Sequence, residues 1–219
     1  MRVHALNISK PKTIIYKGEE VFTGIYKVPT TEPRMVRVLN IDGDEQADLT
    51  VHGGVDKAVY GFPFEHYSYY QEKLKQDSYE TGQFGENLTT EGLLESDVHI
   101  GDRYRVGEVV LEVSQPRSPC YKFAIKMETA EALSLCINSA KTGFYFRVLN
   151  EGFIQSGDPI EVDYSNTNAP TVEEVHRLYY LDKKNIDALT KAAGCNSLTK
   201  VWRDEFENRI SKLTAKIPQ

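Results

Sequence analysis

The segment Gln115-Pro116-Arg117-Ser118-Pro119-Cys120-Tyr121-Lys122-Phe123 is where this chain of 219 residues brings a thiol and two cations closest together. It follows an apolar strand, Val109–Ser114, and its two prolines stiffen the loop that presents Cys120. Arg117 and Lys122 are placed to favour a thiolate, the form that acts as nucleophile or soft-metal ligand. The competing reading is a buried structural thiol, the usual fate of a lone cysteine. Cys136 fits that fate, standing among Leu133, Leu135 and Ile137, while Cys195 follows Gly194 in a helix connection. Three scattered cysteines without a C-x-x-C pair exclude a zinc ribbon and a thioredoxin-type motif. Their odd number points away from a disulfide framework and toward a reducing compartment.

Three further segments concentrate glycine and charge. In Asp48-Leu-Thr-Val-His52-Gly53-Gly54-Val-Asp56-Lys57, a glycine pair lets backbone N–H groups turn inward as an anion nest, and His52 and Lys57 add a titratable ring and a cation. The bland alternative is a tight turn carrying surface charge. In Gly82-Gln-Phe-Gly85-Glu86-Asn87-Leu88, Gly85 permits close approach and Asn87 offers an amide that both donates and accepts. Against this stands an ordinary loop whose Phe84 plugs the core. In Gly143-Phe-Tyr-Phe-Arg147-Val-Leu-Asn, Arg147 alternates with Phe146 and Val148, so it faces either a phosphate or water.

Other chemistries lack their signatures. There is no G-x-G-x-x-G after a strand, no P-loop, no H-E-x-x-H and no G-x-S-x-G elbow. The net charge of −6 argues against a nucleic-acid coat. No apolar run approaches the length of a membrane span, and Met1 to Ile15 holds no apolar targeting core, so the expectation is a soluble cytoplasmic protein.

The elements that must position these residues change character along the chain. Residues 1–164 carry −8 and residues 165–219 carry +2, with Ser165-Asn-Thr-Asn-Ala-Pro170 as linker chemistry between them. Before the linker, short β-branched and aromatic runs predict strands at Val3–Ile8, Ile14–Tyr16, Val36–Asn40, Arg103–Val106, Val109–Ser114, Phe144–Asn150 and Ile160–Tyr164. Val106-Gly-Glu-Val109 predicts a hairpin turn, and helices are expected over Pro63 to Lys75 and Glu128 to Asn138. After the linker everything reads helical. Thr171-Val-Glu-Glu174 is a capping box, Asp182 to Ala193 stops at Gly194, and Ser197 to Thr214 carries an apolar stripe through Leu198, Val201, Trp202, Phe206, Ile210 and Leu213. The expected fold is mainly β (α+β): a strand-rich domain over 1–165 and a three-helix domain over 171–216, whose helices pack on each other, on the strand-rich domain or on a second subunit as a homodimer.

Taken together and in order, the segments resemble the MOSC domain, in its bacterial stand-alone YiiM-type branch. The matching residues are Gln46-Ala-Asp-Leu with His52-Gly-Gly-Val-Asp-Lys-Ala-Val-Tyr60, Gly85-Glu-Asn-Leu88, Ile100-Gly-Asp102, Gln115-Pro-Arg117 with Pro119-Cys120, and Arg147-Val-Leu149. The likeness covers roughly 40–165, and the tail is similar to that branch's three-helix extension. The resemblance implies a strand-rich β-barrel fold and a molybdenum–molybdopterin cofactor with Cys120 as metal ligand and catalytic residue. It implies cofactor binding by His52, Gly53, Gly54, Lys57, Gly85, Asn87, Arg117 and Arg147, and reduction of N-hydroxylated small molecules. No flavin or iron–sulfur motif is visible, so electrons would come from a separate donor protein. A cofactor or sulfur carrier without turnover, and a cysteine hydrolase or transferase with His52 as base, remain as alternatives.

Overall fold

The computed structural model describes residues 1–48 and 53–215. Twelve strands form in chain order: β1 (Arg2–Ile8), β2 (Lys12–Tyr16), β3 (Glu19–Thr23), β4 (Val28–Thr30), β5 (Arg34–Val36), β6 (Val59–Pro63), β7 (Leu88–Glu91), β8 (Arg103–Val106), β9 (Val109–Pro116), β10 (Phe144–Asn150), β11 (Gly152–Ile154) and β12 (Glu161–Tyr164). Eight of them make one sheet, ordered β12-β8-β9-β10-β6-β7-β1-β4. Met1 and Val3 hydrogen-bond to residues 157–160, which lead into β12, so the two ends of the sheet curl toward each other as a barrel's do.

The chain's β-rich first three-quarters is thus as the sequence predicts, with specific differences. The hairpin between β8 and β9 turns on Gly107 at a positive φ of 59°, as a two-residue loop with glycine first does. The predicted strand Val36–Asn40 is instead β5, ending at Val36, because the Arg37 amide bonds back to the Asn40 carbonyl. β6, Val-Tyr-Gly-Phe-Pro, escapes sequence logic because Gly and Pro read as breakers. Its glycine is there for space: a Cβ on Gly61 would stand 2.8 Å from the Phe146 ring.

β6 and β7 are the parallel pair in this sheet, so the chain between them must cross over. The crossover carries helix α1 (Tyr67–Leu74) and the Gly82–Asn87 loop. The expected start of the helix at Pro63 is displaced, since Pro63 ends β6 and residues 64–66 form a 3-10 turn. Two helices follow β9, α2 (Tyr121–Lys126) and α3 (Glu131–Ser139), and Cys136 on α3 is 1 % exposed within an aromatic core of Tyr60, Phe62, Tyr70, Phe84 and Phe123. Cys136 is therefore a packing residue.

The tail forms α4 (Val172–Tyr180), α5 (Ile186–Ala193) and α6 (Lys200–Thr214). The Thr171/Glu174 capping box is formed at 3.1 and 2.9 Å. Leu178, Leu189, Trp202 and Phe206 join one continuous core with the sheet, so the tail packs on the barrel of its own chain. Val201 departs from the predicted stripe: it is 77 % exposed, one position off the face that Leu198, Trp202 and Phe206 bury. No helix among the described residues is long and apolar enough to cross a membrane.

The crossover loop is held by the fully buried Glu86. Its carboxylate accepts from the Gly82 amide (2.8 Å), the Phe84 amide (3.0 Å), the Thr89 hydroxyl (2.8 Å) and the Tyr67 phenol. Replacing Glu86 with Gln turns one acceptor oxygen into a donor facing donors. We expect Glu86→Gln to cost about 3 kcal/mol of unfolding free energy, read by urea denaturation. A loss under about 0.5 kcal/mol would contradict this role.

Candidate functional site

A cleft of about 670 Å³, solvent at its mouth included, opens above the aromatic core. One wall is the chain from Thr23 to Lys27 with Asp44 to Ala47, and the other brings Lys57, Tyr60, Gly85, Asn87, Arg117, Ser118, Cys120, Lys122 and Tyr145 together. Sequence segments more than a hundred residues apart thus converge, and β6, β9 and β10, which carry much of this wall, are neighbours in the sheet.

Arg117 is the electrostatic centre. It is 5 % exposed, and its guanidinium carbon lies 4.5 Å from the centroid of Phe123 and 5.5 Å from that of Tyr60. Its backbone is fixed from both sides: the amide donates to the Gly143 carbonyl at 3.1 Å, and its carbonyl accepts from the Thr142 hydroxyl. Behind these, Glu95 accepts from the Thr142 and Gly143 amides at 2.9 and 2.7 Å and is bound to His66 at 2.6 Å. The side chain is less well satisfied. Arg117 Nη1 is buried with no hydrogen-bond partner among the described residues. A buried cationic donor left unpaired is costly, and an anionic ligand would supply what it lacks.

Cys120 is half-buried and extended, immediately before α2. Lys122 donates its ammonium to the Phe22 carbonyl at 2.9 Å across the cleft. Gly53 and Gly54 lead into a 3-10 turn, Val55–Lys57, that sets Lys57 on the wall, and Gly54 takes a positive φ of 94° there. Burial lowers the Lys57 pKa, a cost that a bound anion would offset. His52 lies outside the described residues.

The three other expected cofactor-binding residues have contacts within the scaffold. Arg147 does not reach the cleft. Its guanidinium is bound to Asp56, to Glu112 at 3.1 Å and to the Ser197 carbonyl at 2.7 Å, so it faces the tail. The Asn87 amide lies at the cleft but is consumed: its oxygen accepts from the Tyr60 amide at 3.1 Å, and its nitrogen donates to Asp44 at 2.9 Å and to the Asn7 carbonyl at 3.4 Å. Gly85 is required by packing, since a Cβ there would stand 2.7 Å from Ile25 Cγ1.

Asp44 and Lys27 are cleft residues that sequence reasoning missed. Asp44 is 2 % exposed; it takes the Ser9 amide at 2.9 Å, the Lys27 ammonium and Asn87. Burial pulls the Lys27 pKa down, and Asp44 opposes that pull. Nothing in Asp42-Gly-Asp-Glu45 separates one buried carboxylate from a solvated acidic turn, and Lys27 stands in no motif.

Residues 48–161 match the MOSC domain, and residues 170–213 match the "YiiM-like, 3-alpha helix domain". The chain belongs to the MOSC domain family. It is 40 % identical to YflK of Bacillus subtilis over 211 residues, covering 96 % of this chain and 95 % of that one. The solved structure of YiiM from Geobacillus stearothermophilus superposes with a TM-score of 0.81 at 34 % identity, covering 95 % of this chain and 98 % of that one. A protein of Gibberella moniliformis named "Reductase" is 36 % identical over 201 residues, which are 88 % of this chain but 35 % of that protein. The match to the MOSC domain spans Lys57, Gly85, Asn87, Arg117 and Cys120, all on the cleft.

Two predictions follow from charge burial. Arg117→Met keeps the volume and removes a buried guanidinium with one unpaired nitrogen, so the ligand-free protein is expected to gain about 1 kcal/mol of stability. A loss of stability in thermal melts would contradict an unsatisfied Arg117. Lys126, which donates to the Ile25 carbonyl at 3.0 Å and to the Gly82 carbonyl, has its pKa pushed from the ordinary 10.5 to about 8, mainly by burial. Between pH 8 and about 10 the unfolded chain binds the extra proton, so this lysine makes stability rise with pH in that window. Lys126→Met should flatten the rise in urea titrations from pH 7 to 10, and an unchanged slope would refute the assignment.

Proposed function

We propose that the cleft holds a molybdenum–molybdopterin cofactor and that the protein is an oxidoreductase that reduces N-hydroxylated compounds, such as N-hydroxylated bases, with electrons from a separate redox protein. The observation that carries the reading is the unpaired, buried Nη1 of Arg117 in the same cleft as Cys120. A soft metal prefers a thiolate, and Cys120 is the cysteine that lines the cleft. A phosphate monoester prefers clustered cations, which Arg117 and Lys57 supply.

When bound, the cofactor would supply two-electron oxygen-transfer chemistry at a soft metal. The rest falls to the protein. Cys120 would hold and tune the metal through its sulfur. Arg117 and Lys57 would bind the phosphate, and Tyr60, Phe84 and Tyr145 would line the cleft with aromatic surface. Lys27 Nζ, against Asp44, would be a proton donor in the cleft. That matters because converting N–OH to N–H and water consumes two protons with the two electrons. The kinship with a protein named "Reductase" agrees with redox chemistry.

The test is elemental analysis for molybdenum on gently purified protein, with N-hydroxyl reduction assayed beside a supplied electron-transfer chain. Wild type is expected to carry molybdenum and turn over, and Cys120→Ala to lose both while keeping its circular-dichroism spectrum. Full reductase activity in Cys120→Ala with metal still bound would overturn the assignment. Molybdenum without turnover in any reconstituted chain would favour a carrier instead.

A further inference from the structure

Thr199 occupies the N-cap of α6, a position where a threonine hydroxyl ordinarily accepts from the first turn of its own helix. Here it makes no capping bond. The hydroxyl, on a residue 3 % exposed, donates instead to Gln115 Oε1 at 3.0 Å. Gln115 is itself 4 % exposed, and its amide nitrogen bonds the Pro116 carbonyl at 3.3 Å. The helix therefore forgoes a local cap to hold the residue two positions before Arg117.

Other contacts from the tail land on the same machinery. The Ser197 carbonyl accepts from Arg147, whose other nitrogen binds Asp56 in the turn that carries Lys57. A Cβ on Gly101 would stand 2.6 Å from Ser197 Oγ, so the tail also sits hard against that glycine. The Tyr180 phenol of α4 faces Ser118, between Arg117 and Cys120.

We propose that the three-helix tail is a working part of the cleft: through Thr199 and Gln115 it sets the backbone of the Arg117–Cys120 loop, and through Ser197 and Arg147 it sets the turn that carries Lys57. Thr199 is a positioning residue, acting on Cys120 through Gln115 and Pro116. The inference concerns the protein without ligand, so it holds whatever cofactor the cleft takes.

The test reads Cys120 directly. The rate of iodoacetamide alkylation at Cys120, followed by peptide mass spectrometry across pH 6 to 9, is measured for the full-length ligand-free protein. Thr199→Val is expected to change that rate by about fivefold, the factor equivalent to one ordinary hydrogen bond. Thr199→Ser, which keeps the hydroxyl, should restore the wild-type profile. Tyr180→Phe is the second variant and should move the same rate. Arg209→Met is the control, because Arg209 ties the Leu178 and Tyr179 carbonyls to Glu205 within the tail. It should lower the melting temperature and leave the Cys120 profile unchanged. An unaltered Cys120 profile in both Thr199→Val and Tyr180→Phe would overturn the proposal. So would an equal change in Arg209→Met, which would reduce the effect to general loosening of the tail.

Discussion

The structure is organised around one costly placement, a guanidinium buried among aromatic rings with a nitrogen left unpaired. Apolar burial of a charge is tolerated only when its surroundings are fixed by something stronger than the charge's wish for water. Here the fixing is done in layers. Gly143 and Thr142 hold the Arg117 backbone, Glu95 gathers the amides of those two residues, and His66 closes the network from the crossover. The tail holds Gln115 from the opposite side. An arrangement that spends this much hydrogen bonding while one guanidinium nitrogen stays unpaired is suited to an anionic ligand.

The topology explains why such a site forms at that place. The parallel pairing of β6 with β7 forces a crossover, and the crossover delivers the Gly82–Asn87 loop beside the ends of β9 and β10. Glu86 then gathers two amides of that loop and the Thr89 hydroxyl of β7 onto one carboxylate. Asn87, next in sequence, engages the scaffold through both its amide oxygen and its nitrogen and so places Asp44, which in turn holds Lys27. Asp44 and Glu45 lie on one wall of the cleft with Lys27, and Lys57, Arg117 and Lys122 on the other, so cations gather there in a protein that is acidic at large.

Strand-rich architecture, the helical tail, its capping box and the core packing of Cys136 were legible in the residues, because periodicity and local cap chemistry are local properties. Lys57, Arg117, Lys122 and Cys120 stood out in the residues because glycine and proline marked their loops, and the same marks picked out Arg147. Arg147 and Gln115 belong to equally distinctive motifs, yet they face the tail. A motif shows that a residue is constrained, and only the partner on the other side shows by what. Asp44 and Lys27 were illegible because their importance lies in burial and in pairing over seventeen positions. β6 was hidden by the glycine and proline that make room for Phe146 and end the strand.

Isothermal titration of ligand-free protein with orthophosphate at low ionic strength tests the anion site most directly. Wild type should bind with one-site stoichiometry, and Arg117→Met, folded by circular dichroism, should lose that binding while Arg147→Lys retains it. Equal phosphate affinity in wild type and Arg117→Met would contradict the account.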